Sequence, residues 1–94
     1  MDITIYALTD GDKLFYVGKT NKPARRKSEH ICESLRVANK NPVKELFIRK
    51  AINNGKQITM IEIEKCGHDW QTVERFWINM FDQLGHNLTN LAEM

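Results

Sequence analysis

Asp10-Gly11 separates two runs, Ile3-Thr4-Ile5-Tyr6-Ala7-Leu8 and Leu14-Phe15-Tyr16-Val17-Gly18, that are rich in β-branched, aromatic and aliphatic residues. Asp-Gly between such runs is a strong short-range signal for a β-hairpin, because the dipeptide tolerates the backbone conformations a tight turn demands. The segments that follow supply one further strand and three helices.

Asn21 is placed to cap a helix, and Pro23 suits its first turn, where a missing N–H costs nothing. Ala24, Ile31, Leu35 and Ala38 then fall on one face of a helix over about 22–38. Asn41-Pro42 starts a second helix with Val43, Leu46, Phe47 and Ala51 inward, and Asn53-Asn54-Gly55 ends it. Ile58 to Glu64 reads as a third strand. Its apolar residues switch parity between Met60 and Ile61, so it is either covered on both faces or bulged there. Asp69 or Thr72 caps a last helix that Gly85 terminates, with an apolar stripe of Trp70, Val73, Trp77, Met80 or Phe81, and Leu84. The expected fold is α/β (α+β): one domain over residues 1–94, with a small three-stranded antiparallel sheet packed by three helices. A chain of this length buries roughly 60–68% of its unfolded surface, enough for one core without disulfides.

Several classes drop out early. No apolar run approaches the roughly 20 residues of a membrane span, and Met1-Asp2 begins no signal peptide. Two cysteines, Cys32 and Cys66, make no disulfide framework, so a reducing, cytoplasmic setting is expected. His30-x-Cys32 and Cys66-x-His68 do not make a zinc site, because helical residues two apart diverge by about 200°. Gly18-Lys19-Thr20 ends like a phosphate-binding loop, but Lys13 stands where a glycine is required.

Charge is distributed unevenly. Lys19, Lys22, Arg25, Arg26 and Lys27 form a cationic stretch with no acidic residue in it, and Lys40, Lys44, Arg49, Lys50 and Lys56 form a looser one. Beside two strand tyrosines, the first stretch reads as a phosphate-facing patch rather than a solvated helix face. Arg26 and His30 are one helical turn apart, about 40° around the axis, and point away from the Ala24/Ile31/Leu35 face. An Arg25–Glu29 pair would leave Arg26 to grip a phosphate and stabilise transition-state charge, with His30 beside it to bind phosphate or move a proton. Glu74 interrupts the apolar stripe, with Trp70, Trp77 and Ile78 around it. A carboxylate there is costly unless it is paired, snorkels to water, or binds a cation. Tyr6 and Tyr16 are either half-buried packing or, if the hairpin places them on one face, two hydroxyls in one groove.

Thr4-Ile5-Tyr6, Tyr16-Val17-Gly18, Arg26-x-x-x-His30 and Glu74-Arg75-Phe76-Trp77-Ile78, in this order and spacing, resemble the GIY-YIG endonuclease family over nearly the whole chain. The resemblance implies a metal-dependent DNA endonuclease whose site residues are Tyr6, Tyr16, Arg26, His30 and Glu74. Glu74 would hold one Mg²⁺ or Mn²⁺, and Tyr6 would help activate water, with Tyr16 a second active-site hydroxyl. Gly18 would let backbone approach the phosphate, while Lys19, Arg25 and Asn87 would bind substrate. Asn90 is a weaker candidate for the asparagine role, since His86 stands where the family commonly places a tyrosine before its asparagine. Thr4 replaces the family's first glycine, and Asn39 stands nearest to where some members carry a further histidine. With no added DNA-binding module expected, sequence selectivity would be weak, or come from a homodimer or a separate specificity partner. Small stand-alone members are known from phages and bacteria. The rival readings are a non-catalytic nucleic-acid-binding module and a protein-interaction module on the same scaffold.

Overall fold

Asp10 closes the first turn through its own side chain: Oδ1 accepts from the backbone N–H of Asp12 at 2.9 Å and of Lys13 at 2.8 Å. Gly11 adopts φ +100°, which a residue with a Cβ adopts only under strain. The computed structural model describes residues 2–36 and 40–90. The turn joins β1 (Ile3–Thr9) to β2 (Leu14–Thr20). Then follow α1 (Pro23–Arg36), α2 (Pro42–Asn53), β3 (Thr59–Cys66) and α3 (Trp70–Gln83). The sheet order is β2-β1-β3, with both pairs antiparallel, so the expected α+β architecture is present.

Because β1 is central and covered on both faces, Thr4 to Leu8 are all buried. On one face Tyr6 and Leu8 pack with Phe15, Ile48, Ala51 and Ile58, beneath α1 and α2. On the other, Ile5 and Val17 pack with Leu88 and with Trp70, Val73, Trp77, Ile78 and Phe81 of α3. Two bulges adjust this alternation. The β1–β2 register shifts between Leu8/Tyr16 and Thr9/Leu14, so Phe15 is the extra residue and shares a face with Tyr16. The β1–β3 register shifts between Ile5/Glu64 and Tyr6/Glu62, so the third strand is bulged at Ile63 rather than between Met60 and Ile61.

The expected inward faces of the first two helices need correction. In α1 the buried residues are His30, Glu33 and Ser34, whereas Leu35 is 59% exposed, Ala24 is exposed and Ile31 only partly buried. Ala38 lies outside the described residues. The cause is the Tyr6 hydroxyl, which meets His30 beneath this helix, so a polar stripe at i, i+3, i+4 turns inward. The first helical N–H bonds, from Arg25 and Arg26, go to the Lys22 carbonyl, which places Lys22 rather than Asn21 at the cap. In α2, Ile48 and Ala51 are buried together with Lys44 and Glu45, while Val43 and Leu46 are exposed. Phe47 stacks on Phe15 with ring centroids 4.3 Å apart. Asn41 caps this helix, accepting from Lys44 N at 3.0 Å. Along α3 the expected stripe faces the sheet except Leu84, which is exposed beyond the helix end. Asp69 stands at its cap position, and its side chain accepts from Gly67 N rather than from a helix N–H.

The outer edge of β2 is closed by the segment after α3. Thr89 Oγ1 donates to the Phe15 carbonyl at 3.0 Å. Asn90 imitates a strand, with Oδ1 accepting from Val17 N at 2.8 Å and Nδ2 donating to Val17 O at 2.7 Å. No helix among the described residues is long and apolar enough to cross a membrane. Asn90→Ala removes both bonds and should lower urea-measured stability by about 1–3 kcal/mol, at roughly 0.5–1.5 kcal/mol per bond. Asn87 is exposed, and Asn87→Ala should stay within about 0.5 kcal/mol of the parent. The opposite ranking would show that the wrong asparagine has been tied to the strand.

Candidate active site

The hairpin register sets Tyr6 opposite Gly18 and Leu8 opposite Tyr16, so the two tyrosines are diagonal neighbours on one face. Their ring centroids are 6.3 Å apart. Gly18 is what permits this. A Cβ there would lie 2.6 Å from Tyr6 Oη, 2.7 Å from Tyr6 Cζ and 2.8 Å from Tyr16 Cε2. The glycine therefore makes room for the phenol ring lying across it.

Behind the tyrosines lies a buried polar chain. Tyr6 Oη is 2.6 Å from His30 Nε2, and His30 Nδ1 is 2.8 Å from Lys44 Nζ. Lys44 Nζ is 3.8 Å from Glu33 Oε2, and Glu33 Oε1 is 3.2 Å from Arg26 Nη1. His30 and Lys44 are buried, as is Glu33. His30 is thus not on a solvated flank of its helix. Burial, with the charges of Lys44 and Arg26, pushes its imidazole down to about 3, so it is neutral near pH 7 and holds no titrating proton there. Nor does the Arg25–Glu29 pair, at 3.6 Å, leave Arg26 alone: Arg26 Nη1 also reaches Glu29 at 3.4 Å. Burial raises the Tyr6 phenol above its ordinary value, helped by Tyr16, while Arg26 pulls it back.

Tyr6 and Tyr16 form one wall of an open groove of about 440 Å³, to which Lys19, Arg25, Arg26 and Glu74 also contribute. Glu74 reaches it from the far face of the sheet. Desolvation raises its carboxyl above the usual range, and Lys19 opposes the shift. Among the described residues it has no hydrogen bond or ion pair within contact distance. Lys19 Nζ itself sits over the Trp70 ring, 4.6 Å from its centroid. No cluster of three or more His, Cys, Asp or Glu side chains occurs among the described residues, so a cation held by Glu74 would complete its shell chiefly with water and phosphate oxygens. That is a fit for Mg²⁺ or Mn²⁺, hard cations that keep several waters.

Asn87 is not brought to this groove. It lines a separate hollow with Lys13, Phe15 and Val43, whereas Asn90 lines a hollow beside Glu74. The second cationic cluster also disperses: Lys44 is buried, Arg49 Nη1 donates to the Ser34 carbonyl at 2.9 Å, and Lys56 pairs with Asp10 and Asp12.

The family model described as the GIY-YIG catalytic domain matches residues 3–87. The chain belongs to the GIY-YIG family. No curated protein and no solved structure matches it. As a GIY-YIG domain it belongs to a family of nucleases, and four of the five site residues inferred from its motifs, Tyr6, Tyr16, Arg26 and Glu74, converge on the groove. The fifth, His30, stands directly behind Tyr6. Reasoning from sequence missed Glu33 and Lys44. Glu33 lies three residues after His30 and seven after Arg26, which puts all three on one stripe of α1. Lys44 lies in the first turn of α2, where the helix dipole disfavours a cation, and that mismatch was a readable signal.

The His30 shift has a measurable consequence. The unfolded imidazole takes up its proton near 6.5 and the folded one near 3, so between these values the unfolded chain binds more protons. Stability present above about 6.5 should therefore fall as pH drops towards 3, by up to about 1.4 kcal/mol per pH unit from this group. Urea titrations of the parent and His30→Gln should show a shallower pH slope in the variant. Equal slopes would mean that His30 is protonated in place.

Proposed function

We propose that this GIY-YIG protein is a divalent-metal-dependent DNA endonuclease that hydrolyses phosphodiesters in the groove between β2, the start of α1 and Glu74. The observation that carries the reading is Glu74: a half-buried carboxylate with no contact partner among the described residues, in one groove with two tyrosines and the cations Lys19, Arg25 and Arg26. DNA supplies the phosphate such a basic groove attracts. The free cysteines Cys32 and Cys66 suit a reducing, cytoplasmic setting.

Glu74 would hold the cation, which when bound supplies Lewis acidity at the phosphate and positive charge for the leaving oxygen. Lys19 and Arg25 orient the strand through its phosphates. Arg26 stabilises the charge that develops on the phosphoryl group. Its ion pairs with Glu29 and Glu33 both use Nη1 and the guanidinium also bonds Tyr6, so its remaining donors are left for a phosphate. Tyr6, with its hydroxyl at the groove wall, accepts the proton of the attacking water. Its phenol stays protonated in the free protein, because burial, Tyr16 and Glu74 all raise it. The base therefore forms only once cationic charge has been added to the site. The phenol then releases its own proton to bulk water through the open groove, and the phenolate can take one from the attacking water. His30 stays neutral throughout and supports the Tyr6 oxygen from behind.

Nicking of supercoiled plasmid should require Mg²⁺ or Mn²⁺ and stop with EDTA. Glu74→Gln keeps shape but removes charge, and should slow nicking by at least about 10²-fold. Its stability should hold or rise, since a desolvated carboxylate has been neutralised. Wild-type nicking by this variant would refute the assignment.

The two neighbouring arginines should separate kinetically. Arg26→Ala should depress the single-turnover rate far more than DNA affinity, because its charge is needed chiefly in the transition state. Arg25→Ala, at a side chain 64% exposed, should chiefly weaken binding and flatten its salt dependence. Equal losses of rate would mean that the catalytic arginine is misassigned.

A further inference from the structure

We infer that Lys44 is a positioning residue that fixes His30 in its Nε2–H tautomer, so that the imidazole donates its hydrogen bond to the Tyr6 oxygen and does not receive the Tyr6 proton. Its bearing on catalysis rests on the function proposed above, whereas the tautomer does not.

An ammonium group has donors and no acceptor. At 2.8 Å from His30 Nδ1, the Lys44 Nζ can only donate, so Nδ1 carries the lone pair. A neutral imidazole then has its single proton on Nε2, which lies 2.6 Å from Tyr6 Oη. The direction of the Tyr6–His30 bond follows from the charge on Lys44.

Glu33, the Tyr16 ring and the imidazole are among the surroundings that hold that charge in a buried place. Glu33 Oε2 is 3.8 Å from Nζ and provides the opposite charge. The Tyr16 ring lies 5.1 Å from Nζ at its centroid, close enough for a cation–π attraction. The imidazole itself accepts one N–H. The distances also show where the ammonium is aimed. Glu33 Oε2 is buried without a hydrogen-bond partner, while Nδ1 is a full ångström closer to Nζ. A neutral Lys44 amine would accept from Nδ1–H and reverse the whole chain; on this inference the Glu33 carboxylate, 3.8 Å away, favours the ammonium.

For Tyr6 the consequence is directional. One lone pair of its oxygen is occupied from behind by Nε2–H, so the hydroxyl proton turns towards the groove. A phenolate formed there would keep a neutral N–H donor and the Arg26 guanidinium beside it. His30 contributes as a fixed donor, with Lys44 acting through it.

Long-range ¹H–¹⁵N NMR of the imidazoles, with His30 assigned by comparison with His30→Gln, reads the tautomer directly. The parent protein should show a pyrrole-type Nε2 and a pyridine-type Nδ1 at His30. Lys44→Met, which removes the donor and keeps an unbranched chain, should shift His30 towards the Nδ1–H form. Its single-turnover nicking should fall by about 10–100-fold, the range for removing a group that orients a site histidine, with DNA affinity unchanged. An Nδ1–H tautomer in the parent would overturn the inference even if Lys44→Met failed to fold. So would a folded Lys44→Met protein that keeps the Nε2–H form, or one that loses it and nicks at the parental rate. A parent protein that nicks no DNA would instead count against the proposed function and leave the tautomer to be decided by its spectrum.

Discussion

The short contact between Tyr6 and His30 is the constraint from which most of this architecture follows. Tyr6, on the central strand, is nearly fully buried, and the inner side of its hydroxyl has to find a partner. That partner comes from α1, which must then turn a polar stripe to the sheet. His30 needs a partner of its own at Nδ1, which recruits Lys44 from the first turn of α2. Lys44 brings in Glu33, and Glu33 brings in Arg26. One tyrosine thereby dictates the inward face of one helix and the N-terminal turn of the next. Buried ionic chains of this kind are often no more stabilising than apolar residues of similar volume, so on the proposed function its worth lies in the site it supports.

The two faces of the sheet divide the work. The face under α1 and α2 carries the tyrosines and the buried polar chain, while the face under α3 is almost wholly apolar and carries Glu74 near its margin. These groups meet only at the end of β2, where Gly18 lacks a side chain, Lys19 and Thr20 leave the sheet, and α1 begins. β2 has to remain an outer strand for the groove to exist. An unprotected outer strand invites pairing with other chains. Asn90 protects the rest of it by bonding both backbone groups of Val17, so the edge is closed next to the site and open at it.

Much of this was legible in the amino-acid order, for physical reasons that differ by element. The hairpin was readable because Asp10-Gly11 encodes its turn locally, and α3 because its stripe packs on an ordinary apolar face. The inward face of α1 was not, because periodicity counts apolar residues. The helix buries His30, Glu33 and Ser34 and leaves Leu35 in solvent. The same error made Lys44 a surface cation and Arg26 an unengaged one. Gly18 was readable as part of a motif from its spacing, but only the register reveals that the Tyr6 ring lies over it. Asn87 and Asn90 could not be separated by sequence, since the difference lies in which one reaches the edge of β2.

Carboxylates around the groove are of one chemical type, and their surroundings separate them. Glu33 is faced by Arg26 at 3.2 Å, Lys40 at 3.5 Å and Lys44 at 3.8 Å. Glu29 is held by Arg25 and Arg26. A divalent cation approaching either would meet fixed positive charge, and capturing the carboxylate would strand the arginines and lysines now paired with it. Glu74 meets none of this. Lys19 is its one opposing cation among the described residues, acts without direct contact, and is itself drawn over the Trp70 ring. Desolvation by the apolar helix face raises the energy of the Glu74 anion, so binding a cation relieves a penalty already present in the folded chain. On the proposed function, the ion goes to Glu74 because the fold has neutralised the neighbouring carboxylates and left this one unpaired.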